Sequence, residues 1–294
     1  MAVIALMMTI SASAQFYIYY SDGTVAKVDS ISMIAPGPVQ GVFSVSATKQ
    51  VTFSPGNLQY TQSTDTWSFA STQYEIIGID NLIGDSVSFT DYGDRKDGTA
   101  LADKIDLFGL STNANYFGAS ISNDRANYSG SFVDWGSNTI GHDTPNTWRT
   151  LTLDEWLYLF YDRTNARDLY GIAQVNGING LILLPDNWVC PEDVTFKSGV
   201  IAYRDCDGVD CYATYQTFTI EQWAKLETTG AVFLPATGWR WGSRITGVNY
   251  QGDYWPAIEE PSDSPEGLEL GTAGPYRSST PNYVGRSVRL VKDL

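Results

Sequence analysis

NYVGRSVRLVKDL, Asn282 to Leu294, sets Val, Leu and Arg in alternation at the end of an otherwise acidic sequence. Alternating apolar and polar residues have the period of a half-buried strand. Arg286 and Arg289 in the same run also suit a basic docking site, and the residues alone leave both readings open. Around this run 33 Asp and Glu stand against 18 Lys and Arg, a formal net charge of -15 over 294 residues. That charge repels phosphate backbones and anionic membrane surfaces, which argues against nucleic acid as a partner. The length and apolar content suffice to bury a real core in one large domain or two small ones.

Immediately upstream, Trp239 to Gly285 is rich in Gly, Pro, Ser, Tyr, Trp and Asp and poor in aliphatics, the composition of long, ordered surface loops. These residues are the candidates for ligand binding. Trp241, Tyr250, Tyr254, Tyr276 and Tyr283 offer rigid contact area, and Ser243, Arg244, Asn249, Asp253, Ser278 and Asn282 offer adaptable hydrogen bonds. Antibody paratopes use this mixture because it loses little entropy on binding. Trp239 and Trp255 are assigned first to packing beneath the loops. Asp253, Glu259 and Glu260 lie near Trp255, and both glycoside cleavage and plain solvated charge are open to them.

Two short apolar runs further upstream each precede a proline: NGLILLPDNW (Asn179–Trp188) and GAVFLPATGWRWG (Gly230–Gly242). Such runs suit central strands covered on both faces and ended by a residue that cannot donate to the ladder. FSVSATKQVTFS (Phe43–Ser54) and TWSFA (Thr66–Ala70) alternate as half-buried strands do. Two stretches read as helices. In TLTLDEWLYLF (Thr150–Phe160), Thr152 and Glu155 have capping-box spacing, and Trp156, Leu159 and Phe160 share a face. In FTIEQWAKLE (Phe218–Glu227), Thr219 and Gln222 repeat the device, with Ile220, Trp223 and Leu226 as the buried stripe.

At the other end, MAVIALMMTISASAQ joins an apolar stretch too short to cross a bilayer to the small-x-small pattern Ala12-Ser13-Ala14, which predicts a signal peptide cleaved after Ala14. FYIYYSDGTVAKVDSISMI (Phe16–Ile34) reads as two strands around Asp22-Gly23, and APGPVQG breaks that pattern as a linker. The predicted organisation is a signal peptide over 1–14, a hairpin segment over 15–36, a linker over 37–41 and one main domain over 42–294. No later run is long and apolar enough to span a membrane. Cys206 and Cys211 bracket a Gly-containing turn and after export either close a small disulfide loop or stay reduced. Cys190 reads as a buried small apolar residue.

Taken in order, WRTLTLDEWLYLF, NGLILLPDNW, GAVFLPATGWR, GDYW and GRSVRLV resemble the exported Bacteroidetes proteins that carry a Fibrobacter-succinogenes-type major paralogous domain. The likeness runs from about Phe43 to Lys292, and GxYW followed by GxSVRLV is its most specific part. Those proteins have the broad C-type-lectin-like fold, shared with formylglycine-generating enzymes and the variable proteins of diversity-generating retroelements. The resemblance implies an α+β chain, mainly antiparallel β with two short helices and long ordered loops, whose two ends meet in one sheet. SVRLV is then a strand beside early strands, with Val288, Leu290 and Val291 buried and Arg286 and Arg289 turned outward from that set or at its margin, either paired to carboxylates or binding an anion. Retroelement-diversified relatives vary around GxYW; here Pro256-Ala257 stands where a Ser-Ser-like pair is expected.

Residue types test the chemistry of these relatives. Formylglycine generation uses a C-terminal cysteine pair that binds copper, and no cysteine follows Cys211. A His-ligated metal centre needs several imidazoles, and the chain has one, His142, beside Asp143 in a Gly- and Pro-containing turn. DCDGVD sets Asp205, Asp207 and Asp210 around Gly208, oxygen ligands of the kind Ca²⁺ prefers but not at EF-hand spacing. The Glu-Pro-Asn and Trp-Asn-Asp motifs of Ca²⁺-dependent sugar-binding lectins are absent, so the fold does not by itself carry that activity. The leading reading is a non-enzymatic, exported or cell-surface binding protein, adhesin-like, that needs no cofactor unless Ca²⁺ and recognises a carbohydrate or a host or bacterial surface protein. The alternatives are a self-assembling component of a surface appendage, with the N-terminal hairpin as a docking piece, and a glycoside-active enzyme.

Overall fold

A computed structural model describes residues 16–19, 25–28, 37–77, 90–91, 104–113, 115–120, 122–198, 216–242, 244–271 and 274–294. The chain divides into two compact units, Met1–Pro36 and Gly37–Leu294. In the first, β1 (Phe16–Tyr19) and β2 (Val25–Val28) pair antiparallel with Phe16 opposite Val28, so the two strands read there are present. The signal-peptide residues 1–14 lie outside the described residues. The stretch read as a linker, residues 37–41, belongs to the second unit: Val39 is buried and donates its N–H to Phe53 O at 2.9 Å.

The second unit is mainly β, with two short α-helices among the described residues. Its middle sheet runs in the order β12 (Thr217–Phe218), β10 (Tyr170–Val175), β11 (Ile178–Leu183) and β13 (Val232–Pro235), parallel only between β10 and β12. Asn176 and Gly177 join β10 to β11 with φ of 49° and 80°. A two-residue hairpin of this kind needs positive φ at both positions, which Asn-Gly tolerates. The run in β11 is continuously apolar because both faces are covered. Leu181 and Leu183 enter one core with Trp156, Leu159 and Phe160, while Ile182 and Leu184 enter another with Trp223 and Leu226. β13 divides the same way and lies at the edge of the ladder, where Pro235 is tolerated.

Both helices carry the predicted capping boxes. Thr152 Oγ1 accepts from Glu155 N–H at 3.2 Å ahead of α1 (Leu153–Leu157), which runs on into a π-helical turn (Tyr158–Asp162). Thr219 Oγ1 accepts from Gln222 N–H at 3.3 Å ahead of α2 (Ile220–Thr228). Ile220, expected in the buried stripe, is exposed. At about 100° per residue it sits some 120° round the helix from Leu226, and the stripe centres on Trp223 and Leu226 instead.

The C-terminal run is a strand. β19 (Leu290–Asp293) lies between β4 (Gln50–Phe53) and β9 (Arg149–Thr150), with β3 (Phe43–Ser44) beyond β4, so early and late parts of the chain share one sheet. Val291 packs with Phe53 and Trp156, and Val288 and Leu290 pack with Trp67, Trp135 and Trp255 on the other side. With both sides covered there is no solvent face for the arginines, and the expectation that they turn outward is corrected: Arg286 is 2% exposed and Arg289 0%. Arg289 Nη2 donates to Gln73 Oε1 at 2.6 Å, and Gln73 Oε1 also accepts from Phe233 N–H.

Three further sheets complete the unit. β5 (Leu58–Thr61) lies between β6 (Thr66–Phe69) and β8 (Lys104–Ile105), and β15 (Arg244–Thr246) between β14 (Trp239–Trp241) and β7 (Thr90–Asp91). β17 (Glu266–Gly271) lies between β16 (Gly252–Tyr254) and β18 (Gly274–Ser279). Trp239–Gly285, read as long loops, thus holds five strands among the described residues. Their cores are filled by Tyr254 and Trp255 as much as by aliphatics, so composition alone misread them. Cys190, expected to be buried, is exposed. No helix among the described residues is long and apolar enough to cross a membrane.

Candidate binding cleft

The two most specific motifs, with 29 residues between them in sequence, meet in space. Trp255 N–H donates to Ser287 O at 2.9 Å, and Ser287 N–H donates to Asp253 O at 2.8 Å, so GDYW and GRSVRLV form one backbone unit. Its anchors are aromatic: Trp255 Nε1 donates to Phe108 O at 2.7 Å and Tyr254 OH to Pro235 O at 3.0 Å. Side chains alternate across a sheet. Tyr254, Leu268 and Leu270 of β16 and β17 enter the core. Asp253 lies opposite Glu269 and Glu269 opposite Tyr276, a cross-strand row on the other face.

Arg286 reaches this row over a glycine. A Cβ on Gly267 would lie 1.8 Å from Arg286 Nη1, so the guanidinium occupies the space that any other residue would fill. It lies 5.0 Å over the Trp255 ring, donates to Ser278 Oγ at 3.3 Å, and stands 3.8 Å from Asp253 Oδ1. Asp253 Oδ2 accepts from Gln251 Nε2 at 3.0 Å, whereas Oδ1 has the ion contact but no hydrogen bond. Burial pushes the Asp253 carboxyl up from 3.8 to about 7; Arg286 opposes the rise and Glu269 adds to it. Burial likewise lowers Arg286. Tyr276 OH donates to Glu269 Oε1, and burial together with that carboxylate holds the phenol above its ordinary value.

Above this floor opens a cleft of about 170 Å³ lined by Trp239, Trp241, Gln251, Asp253, Glu269, Ser278, Thr280, Val284 and Arg286. Trp239 and Trp241 stand two residues apart on β14 and so share a face. Their rings lie 6.4 Å apart at 64°, and Tyr283 packs against Trp241 at 5.0 Å and 78°. Trp241 remains 43% exposed.

Of the residues expected to bind, Trp241, Asp253 and Ser278 line the cleft; Tyr276 adjoins it through Glu269, and Tyr283 backs Trp241. Tyr254, expected at the surface, is fully buried in the core, as is Asn282, whose Nδ2 donates to Arg125 O at 3.2 Å. Asn249 holds a turn, with φ of 62° and Nδ2 donating to Gly177 O at 3.3 Å, and Tyr250 follows it half-buried. Arg244 is in β15 opposite Trp241. Ser243, Asp205, Asp207, Asp210, Cys206 and Cys211 lie outside the described residues. Trp255 is fully buried as expected, and Trp239, also assigned to packing, is half-buried against Tyr128, Tyr283 and Val284 while lining the cleft as well. Gln251, Glu269, Thr280 and Val284 line the cleft without having been expected there; the alternation of Leu268, Glu269 and Leu270 is the strand signal that turns Glu269 away from the core.

The carboxylates grouped in sequence separate in space. Asp253 lines this cleft, while Glu259 and Glu260 line a concavity of about 360 Å³ at the start of α1. His142 is exposed, and Asp143 beside it accepts from Trp148 Nε1 at 2.8 Å. Among the described residues no group of three or more His, Cys, Asp or Glu is placed to hold a metal. Comparison with protein-family models, with curated proteins and with solved structures found no match.

Proposed function

We propose that this chain is an exported, non-enzymatic recognition protein of C-type-lectin-like fold that binds carbohydrate in the cleft beneath Trp239 and Trp241. The observation that carries the reading is two indole rings at 64° over a floor of carboxylate, amide and hydroxyl groups. Sugar rings offer C–H faces to aromatic rings and paired hydroxyls to carboxylates and amides. The volume of about 170 Å³ falls below the roughly 300–1,000 Å³ of drug-sized sites, a size for one ring of a longer glycan. The fold assignment is supported by the shared sheet of early and last strands and by the backbone bonds that join the two motifs.

A glycan array probed with the mature chain, 15–294, with and without Ca²⁺, tests this. Binding by the native chain and its loss in a folded Trp241→Ala variant is the expected result; loss of binding on removing Ca²⁺ brings Asp205, Asp207 and Asp210 into the site. Silence across the array, with concentration-dependent self-association in its place, refutes the reading in favour of an assembly role. One observation favours glycoside cleavage as a second reading: a carboxyl pushed up to about 7 in a cleft opposite a second acid is the kind of perturbed group that marks active sites. Release of reducing ends from a bound glycan, abolished by Asp253→Asn, would establish it.

A further inference from the structure

We propose that the glycan does not end in the cleft but runs from it over Tyr276 and on to Tyr161, which makes the ligand an extended chain rather than a single terminal sugar; the inference rests on the carbohydrate reading above. Each link touches the next. Glu269 lines the cleft, and its Oε1 accepts from Tyr276 OH. Pro275 precedes Tyr276 on β18, and its O accepts from Tyr161 OH. β18 is the outer strand of its sheet, so Tyr161 stands at the margin of that sheet, beside Tyr276.

A single exposed aromatic residue is ordinary, but these two adjoin each other and a cleft. Tyr276 is 40% exposed and Tyr161 49%. Neither ring has an aromatic neighbour among the described residues, whereas Trp239, Trp241 and Tyr283 pack edge to face. From its place opposite Glu269, Tyr276 reaches over β17, where a Cβ on Gly271 would lie 3.4 Å from its Cε1. The ring thus lies down on the sheet with its other face to solvent. Tyr161 points outward because the π-helical turn Tyr158–Asp162 sends Leu159 and Phe160 into the core. Both phenol hydroxyls are already bonded, so the rings are held before a ligand arrives and little ordering is left to oppose binding. The spacing also suits a sugar chain. The row Asp253, Glu269, Tyr276 crosses three neighbouring strands at about 4.8 Å per step, close to the length of one pyranose ring. A chain along this row sets one ring in the cleft, the next over Tyr276 and the next at Tyr161, with C–H faces on the phenols.

Isothermal titration of the mature chain with β-1,4-linked oligomers of glucose, N-acetylglucosamine and mannose, from monomer to pentamer, decides the matter. In a series that binds, affinity should climb as far as the trimer, by about three- to tenfold for each added ring that meets a phenol, and level off beyond it. Tyr276→Ala and Tyr161→Ala, with thermal unfolding unchanged, should remove the gain from the added rings. Tyr276→Phe and Tyr161→Phe keep the rings and should keep the climb, whereas Trp241→Ala weakens every length. Equal affinity from monomer to pentamer in the native chain, a result that needs no variant, overturns the extended path and leaves the carbohydrate reading standing. A climb that survives both alanine substitutions does the same, because it places the further rings elsewhere. Silence of every oligomer overturns both.

Discussion

Replacing Asp253 with Asn removes a buried carboxyl whose titration the fold displaces, and the consequence is a pH dependence of known sign. Burial raises this group from 3.8 to about 7 in the folded chain. Between those two values the folded protein holds a proton that the unfolded chain has released, so stability falls as pH rises. The contribution is complete below the unfolded value and lost as pH climbs through the folded one. At about 1.4 kcal/mol per unit, a rise of roughly three units amounts to on the order of 4 kcal/mol across the window. Asn at 253 keeps an oxygen for Gln251 Nε2, bonded now at 3.0 Å, and titrates nowhere in the range. Urea denaturation of wild type and Asp253→Asn at pH 4.5, 5.5, 6.5 and 7.5 measures the difference. Wild type should lose a few kcal/mol relative to the variant from the first pH to the last. Curves that stay parallel within about 0.5 kcal/mol would refute the claim that the fold keeps this carboxyl protonated through mild acid.

Gly267→Ala should cost about 3 kcal/mol or more in the same assay, because its Cβ would lie 1.8 Å from Arg286 Nη1 and displacing a packed, buried cation combines overpacking with a broken ion pair. Arg289 and Gln73 should respond asymmetrically. Gln73→Ala removes the acceptor of Arg289 Nη2 and of Phe233 N–H and should cost about 2–3 kcal/mol, the worth of a buried hydrogen bond to a charged group. Arg289→Met removes that charge and should stay within about 1 kcal/mol of wild type or exceed it; equal losses in the two variants would contradict this account. Thr219→Ala takes away the cap of α2 and should cost about 1 kcal/mol in thermal or urea unfolding.

Local signals were legible where a short segment carries its own physics. The capping boxes at Thr152 and Thr219 fix helix starts through bonds three residues long, and the apolar runs at Leu181 and Val232 report strands covered on both faces. Asn176-Gly177 is equally legible as a hairpin turn. Of the site, Trp241, Asp253 and Ser278 were visible as residue types suited to binding. Tyr254 and Asn282 have the same chemistry and are buried, and nothing in their composition separates them from the others.

What the sequence determined by itself is the set of elements: a mainly β chain, two capped helices and a last strand. Those features follow from spacing and capping within a few residues. Only the tertiary structure decided which side of each strand meets solvent. Arg286 has the parity of Val288 and Leu290 and Arg289 that of Val291, and cores close over both sides of the run. A buried arginine then has to find its partners from distant segments, as Arg286 does with Asp253 and Arg289 with Gln73. The cleft is likewise a product of β14, β16, β17, β18 and the C-terminal run brought together. Period and composition encode how a segment folds, whereas exposure depends on what packs against it.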